Sequence, residues 1–196
     1  MKVDIVIGGV GGQGSVLASR ALARAAMAEG LSVRTSEVIG MAQREGMVTS
    51  HVRMGKKLYG AIIPDGAADY LVGLELAETV RNLVKLRPGG TIVASTSTIV
   101  PPSVYMGLGK YQRDDLLQYI KQRDGRTLLL DASDLAGQAG SFRAVNAVLL
   151  GALAGAGELP FSPERLLEAV LEMLPEKLHE TNRRAFELGR RSAGVF

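Results

Sequence analysis

Apolar and polar residues are arranged so that strands and helices are predicted in turn along the chain. Lys2 to Ile7 alternates and then becomes continuously apolar, which is typical of a buried strand, and it leads directly into a run of glycines. Ser15 to Glu29 keeps one apolar stripe at helical spacing and is followed by Gly30, a residue type that commonly ends helices. The first unit is therefore predicted to be a strand, a glycine turn and a helix.

The rest of the chain continues this alternation. We predict strands at 31–36, 48–54, 70–74, 91–95 and 127–131, and helices at 75–86, 113–123, 142–154, 163–173 and 176–189. A short strand around 58–63 would form a hairpin-like insertion. This order implies an α/β fold, a Rossmann-like three-layer α/β/α arrangement with a mostly parallel, doubly wound sheet. Because no linker or repeat interrupts the pattern, residues 1–196 are predicted to form a single domain.

Composition narrows the chemistry. The chain has no cysteine, which excludes thiolate-bound zinc and iron–sulfur clusters in this chain, so we expect no metal site and any redox role must use a centre on another chain. No stretch approaches the ~20 apolar residues of a membrane span and no signal-peptide pattern opens the chain, so we expect a cytoplasmic protein that does not contact a membrane. The 23 basic and 20 acidic residues are interspersed and only 5% of residues are aromatic, so nucleic-acid binding is not expected.

The glycine run contains a recognisable phosphate-binding pattern. Gly9-x-Gly11-x-x-Gly14 lies between a predicted strand and a predicted helix, as in the dinucleotide-binding fingerprint. That fingerprint includes an acid about 20 residues further on, and Glu37 stands near that place. A free-standing NAD(P)-dependent oxidoreductase and a nucleotide-binding regulatory domain are therefore alternatives. The purely structural interpretation is that these glycines only let the first helix pack closely on the sheet.

A second polar segment, residues 35–46, begins within the last two residues of the second predicted strand and should emerge at its carboxyl end, at the same sheet edge as the glycine loop. Gln43 and Arg44 within it offer donors to an anionic ligand or a partner, or form a solvated loop that satisfies its own hydrogen bonds. His51, in the third predicted strand, is a weak catalytic candidate, since it has no acid or nucleophile at motif spacing. The catalytic residues thus stay unknown at this level.

Three separate segments, in this order, resemble the gamma-type domain of the pyruvate/2-oxoacid:ferredoxin oxidoreductase family, and within it the small beta subunits of the indolepyruvate type. The resemblance spans nearly the whole chain. The segments are Gly8-Gly9-Val10-Gly11-Gly12-Gln13-Gly14, then Thr35-Ser36-Glu37-Val38 with Gly40-Met41-Ala42-Gln43-Arg44, and Ser50-His51-Val52-Arg53.

The resemblance implies a subunit that is inactive alone and holds no cofactor itself. Thiamine diphosphate, Mg²⁺ and 4Fe-4S clusters would lie on a large alpha subunit that oxidatively decarboxylates a 2-oxoacid, an aryl pyruvate such as indolepyruvate, and passes electrons to ferredoxin. Coenzyme A is expected at the interface. Glu45 departs from the family, in which a glycine often follows the Gln-Arg pair, so substrate preference could differ. The expected cofactor- or partner-facing residues are Gly9, Gly11, Gly12, Gln13, Gly14, Glu37, Met41, Gln43 and Arg44.

Overall fold

A computed structural model describes residues 2–41 and 46–194 of the chain. Within this part, six strands form one sheet: β1 (Lys2–Val10), β2 (Ser32–Ile39), β3 (Met47–Gly55), β4 (Ala68–Gly73), β5 (Leu86–Ser95) and β6 (Thr127–Leu130). The helices are α1 (Ser15–Ala28), α2 (Leu76–Asn82), α3 (Pro102–Tyr105), α4 (Arg113–Lys121), α5 (Ala132–Ala139), α6 (Val145–Ala156), α7 (Pro163–Leu171) and α8 (His179–Ala193). Short 3-10 helices lie at Leu83–Lys85, directly after α2, at Phe142–Ala144, directly before α6, and at Glu176–Leu178, directly before α8.

The sheet is mostly parallel. Its strand order is β2-β3-β1-β4-β5-β6, and β3 alone among these strands runs antiparallel to its neighbours. Apolar side chains alternate between the two faces of the sheet, so that Ile5 and Ile7 join a core under α1, α6 and α8, whereas Val6 joins a second core under α2 and α4. The predicted α/β fold with a doubly wound, mostly parallel sheet covered on both faces is confirmed.

The predicted short strand around 58–63 is wrong, because residues 56–67 are irregular. Side chains of β3 form hydrogen bonds with backbone groups of this segment, in place of a neighbouring strand. The Ile63 amide donates to His51 Nδ1 at 3.3 Å, and the Arg53 guanidinium donates to two carbonyl oxygens of the segment at 3.1 and 3.3 Å. The hairpin of this fold is instead formed by β2 and β3, which pair along their whole lengths.

The helices of the described chain serve the two cores. None of them is long and apolar enough to cross a lipid bilayer. α6 and α8 approach each other closely, since a Cβ on Gly151 or on Gly189 would overlap a carbonyl oxygen of the facing helix. This close packing holds α6 and α8 together as one helical layer, and that layer supports the sheet that carries the candidate site.

Candidate functional site

A cleft of about 380 Å³ opens at the carboxyl edge of the sheet, where the loops after β1, β4 and β5 meet the start of α5. After β1 the chain crosses through α1 over β3 and β2, whereas after β4 it turns into α2, which packs on β1, β4 and β5. The cleft therefore lies where the direction of winding reverses, which is the usual ligand position in doubly wound sheets. Its lining includes Gly12, Gln13, Ser97, Ser133, Phe142 and Arg143.

Gln13 joins the glycine loop to the neighbouring strand. Its Oε1 accepts the Val10 amide at 2.9 Å, and its Nε2 donates to the Leu74 carbonyl oxygen at 3.1 Å. Gly9 leaves the space that this side chain needs, because a Cβ there would lie 2.9 Å from Gln13 Oε1. Gln13 thus cross-links the ends of β1 and β4 at the base of the cleft.

The glycines of the loop have different structural roles. Gly12 and Gly14 have φ angles of 93° and 83°, in the left-handed region that favours glycine. A Cβ on Gly14 would lie 2.6 Å from Asn146 Nδ2, so Gly14 permits the close approach of α6, whereas nothing described lies within 4 Å of such an atom on Gly12. Gly12 therefore presents open backbone toward the cleft.

The two segments predicted to share one edge do so. Val10 pairs with Met47, and the Gly11 amide donates to the Gly46 carbonyl oxygen at 2.9 Å. Met41, two residues after the end of β2, is fully exposed. Gln43 and Arg44 lie outside the described residues.

Glu37 is not placed like a ribose-binding acid. In the dinucleotide fold that acid follows the strand beside the first one, but here β3 separates β2 from β1, so Glu37 is two strand spacings away, roughly 10 Å. Its Oε1 accepts a hydrogen bond from the buried Ser19 hydroxyl of α1 at 3.1 Å. This geometry argues against the NAD(P) alternative.

His51 is buried and lies away from the cleft. It pairs with Val6, four residues before the end of β1 and so roughly 13 Å from the carboxyl edge. Burial, with the positive charges of Lys85 and Arg53, lowers the pKa of His51 below its ordinary 6.5. A neutral ring that accepts the Ile63 amide suits a structural role.

Two serines of the cleft, Ser97 and Ser133, and the buried Ser95 that bonds to Ser97 were missed by sequence reasoning. The Ser95 hydroxyl donates to Ser97 Oγ at 2.8 Å, and Ser97 Oγ is 2.8 Å from Ser133 Oγ. They come from the ends of β5 and from the start of α5. The Ser-Thr-Ser-Thr run at 95–98, directly after a predicted strand, was an available signal, but Ser133 had none.

Glu75, also missed, organises the wall of the cleft. Its Oε2 accepts the Glu78 amide at 2.8 Å and so caps α2, while its Oε1 accepts the Ile99 amide at 3.2 Å and the Tyr111 hydroxyl at 2.5 Å. Burial and the Glu75 carboxylate raise the pKa of Tyr111, so the phenol remains a donor. One buried carboxylate thus fixes both ends of the segment 99–111.

The cleft favours an anion. Arg143 is exposed at its mouth, the serine and threonine hydroxyls supply further donors, and none of its described lining residues is acidic. α1 and α5 both begin at this edge, and their N-termini add positive potential.

A larger groove of about 570 Å³ lies beside α7 and α8, but it is lined by mixed charges and contains none of the predicted site residues. Among residues 2–41 and 46–194 no acidic and histidine side chains cluster to hold a metal.

Comparison with known proteins gives consistent matches along nearly the whole chain. The family model described as pyruvate ferredoxin/flavodoxin oxidoreductase matches residues 4–192. The indolepyruvate oxidoreductase subunit IorB of Thermococcus kodakarensis is 40% identical over 194 residues, which are 98% of this chain and 96% of that protein. The gamma subunit of the keto/oxoacid ferredoxin oxidoreductase from Geobacter sulfurreducens superposes with a TM-score of 0.77 at 25% identity over 99% of both chains.

A further solved structure shares the fold within a much longer chain. The 2-oxoglutarate:ferredoxin oxidoreductase of Magnetococcus marinus, solved with 2-oxoglutarate, coenzyme A and succinyl-CoA bound, matches with a TM-score of 0.73 at 20% identity. The match covers 100% of this chain but 31% of that one. The fold therefore occurs both as a separate subunit-sized chain and as part of a larger polypeptide.

Proposed function

We propose that this chain, which belongs to the pyruvate ferredoxin/flavodoxin oxidoreductase family, is the small subunit of an aryl-pyruvate:ferredoxin oxidoreductase. The observation that carries the proposal is the 40% identity, over nearly the full length of both chains, to a subunit named for indolepyruvate. Indolepyruvate is therefore the first substrate to test. The chain has no cysteine, which accords with a subunit that leaves iron–sulfur ligation to another chain.

The cofactors of the reaction would belong to a large partner subunit. We assign to it thiamine diphosphate, Mg²⁺ and 4Fe-4S clusters, with ferredoxin as the electron acceptor. When bound there, thiamine diphosphate would supply the decarboxylation chemistry. The glycine loop and the 35–46 segment, joined by the Gly11 to Gly46 hydrogen bond, would face that partner. If either Gly12→Asp or Arg44→Ala left both complex formation and oxoacid-dependent electron transfer unchanged, this facing role would be abandoned.

The cleft would hold the phosphate end of coenzyme A. Arg143 supplies a guanidinium, Ser97 and Ser133 supply hydroxyls, and Gly12 leaves the backbone approachable. A charge-assisted hydrogen bond from Arg143 to a phosphate would contribute about 1.5–3 kcal/mol, which is roughly tenfold to hundredfold in affinity. The Magnetococcus enzyme was solved with coenzyme A bound, so this acyl acceptor is the ligand to test.

The test of the overall role is reconstitution. The chain and its large subunit are produced separately under anaerobic conditions, and indolepyruvate-dependent ferredoxin reduction is measured for each alone and for the mixture. We expect turnover with the mixture and none with this chain alone. A solitary, colourless chain that binds NAD or NADP at micromolar concentration would instead favour the nucleotide-binding alternative.

The test of the cleft compares two arginines. Arg143→Ala should raise KM for coenzyme A about tenfold or more with kcat nearly unchanged, because the interaction is made with the phosphate end rather than the reacting thiol. Arg183→Ala is the matched control, since Arg183 is also exposed but lies on α8. Equal KM values for the two variants would remove the cleft from coenzyme A binding.

A further inference from the structure

Six exposed apolar side chains come from elements that meet at the carboxyl edge of the sheet, where the cleft opens. One group lies at the turn of the β2–β3 hairpin and a second on the segment after β5, and the sixth residue is a phenylalanine that lines the cleft. Their exposed fractions run from 41% for Met47 to 102% for Met41. This set, called the apolar rim, consists of Ile39, Met41, Met47, Met106, Leu108 and Phe142.

The rim is large for a surface that faces water. Side chains of this size present on the order of 150–200 Å² each when fully exposed, so the rim, at its observed exposed fractions, offers roughly 650–850 Å². The largest apolar patch on a typical monomer is about 300–600 Å². A stable protein interface covers about 800 Å² on each partner. The rim alone therefore matches the surface that one stable partner would cover.

Both groups of the rim lie within the reach of a single partner. Ile39 and Met47 lie at the carboxyl edge, where the hairpin turns. Met106 and Leu108 belong to the segment 99–111, and both ends of that segment are bonded to Glu75, which follows β4 at the same edge. β3 and β4 are two positions apart in the sheet, which is about 10 Å at the usual strand spacing. A protein surface seated on both groups would lie over the edge at which the cleft opens.

The second group is held in place before any partner arrives. The segment 99–111 is fixed at one end by the Ile99 amide and at the other by the Tyr111 hydroxyl, and both donate to the same buried Glu75 oxygen. A surface that is already ordered loses less conformational entropy on binding. This anchoring fits a preformed docking surface better than a loop that is merely solvated.

We propose that the apolar rim is the docking surface for the large subunit, an inference that rests on the proposed function. In the Magnetococcus chain the same fold is 31% of one polypeptide, so there the remaining chain is available to cover this edge. Lys110, two residues after Leu108, is exposed beside the rim. The partner surface is therefore expected to be an apolar patch edged by carboxylates.

The experiment uses two matched pairs of exposed residues. Ile39→Asp and Met106→Asp place a charge on the rim, where the wild-type side chains are each 67% exposed. Ile62→Asp and Met27→Asp place the same charge on side chains that are 57% and 62% exposed but lie outside the rim. The dissociation constant of each full-length variant for the isolated large subunit is measured by interferometry, with a thermal melt to confirm that it is folded.

Each rim variant should bind at least tenfold more weakly than wild type, because a carboxylate would be buried against apolar surface, and each control should change less than threefold. Leu108→Ser, which adds no charge, should weaken binding in the same direction. If rim and control variants bind alike while the wild-type complex forms, the rim proposal is overturned and the proposed function stands.

Two other outcomes also decide the matter. If the wild-type chain does not bind the large subunit at all, the proposed function fails and the rim proposal fails with it. If the isolated wild-type chain self-associates at micromolar concentration and Ile39→Asp or Met106→Asp abolishes that association, the rim belongs to a second copy of this chain, and the assignment to the large subunit is wrong.

Discussion

Replacing Gly14 with alanine should destabilise the protein far more than the same change at Gly12. Both residues have left-handed φ angles, 83° and 93°, so each substitution carries a backbone cost of about 1–2 kcal/mol. At Gly14 the new Cβ would also lie 2.6 Å from Asn146 Nδ2, whereas at Gly12 it would meet open space. Overpacking of this kind typically costs a further 1–3 kcal/mol. We expect losses of about 2–5 kcal/mol for Gly14→Ala and about 1–2 kcal/mol for Gly12→Ala.

The assay is urea denaturation followed by far-ultraviolet circular dichroism, with a check that the denaturant slope is unchanged between variants. Combining Gly14→Ala with Asn146→Ala should recover part of the loss, since the clashing amide is removed, giving a coupling energy of about 1–3 kcal/mol in a double-mutant cycle. If the two glycine variants differ by less than about 0.5 kcal/mol, or if the cycle shows no coupling, the assignment of Gly14 to packing against α6 is wrong.

Three further variants test other parts of the fold. Because burial lowers the pKa of His51 in the folded state, the wild type loses stability as pH falls below the unfolded value near 6.5 and until the lower folded-state pKa is passed, by at most about 1.4 kcal/mol per pH unit. His51→Gln should flatten this profile in denaturation experiments across that window, and parallel profiles would contradict the burial argument. Asp4→Asn removes a fully buried carboxylate that pairs with the mostly buried Arg53 and the half-exposed Lys2, and it should cost up to about 3–5 kcal/mol, against less than about 1 kcal/mol for the exposed Asp65→Asn; equal losses on urea denaturation would refute the distinction. Gly151→Ala should lower the melting temperature because its Cβ would overlap a carbonyl oxygen of α8, whereas Gly60→Ala, with open space around it, should not.

The local sequence pattern was sufficient to predict the first unit of the fold, which consists of β1, the glycine turn and α1. The continuous apolar run of β1, the glycines that follow and the helical stripe of α1 each express a requirement of the backbone at that place, so no distant residue is needed to interpret them. The short helix α5 was not predicted, since its eight residues, ASDLAGQA, offer only alanines and one leucine as apolar side chains and include an internal glycine. Its stability comes from packing in the core of α6 and α8.

The candidate site could be predicted only in part. The glycine loop and the 35–46 segment were expected at one edge because the ends of parallel strands meet there. Ser133 and Arg143 lie more than a hundred residues after the glycine loop, and neither belongs to a motif. In the sequence, Glu75 has the features of an ordinary helix cap. Only in the folded chain does its second carboxylate oxygen accept hydrogen bonds from the Ile99 amide and the Tyr111 hydroxyl.

The α/β class, the glycine loop at the end of β1 and the lack of thiolate ligands in this chain could be inferred from the amino-acid sequence, because each depends on residue type and near-neighbour spacing. The position of β3 between β1 and β2 could be known only from the folded chain, and it separates Glu37 from the loop and leaves His51 buried beside an irregular segment. Strand order depends on which distant strands pair, and local alternation is the same for any order. The cleft and the apolar rim follow from that choice.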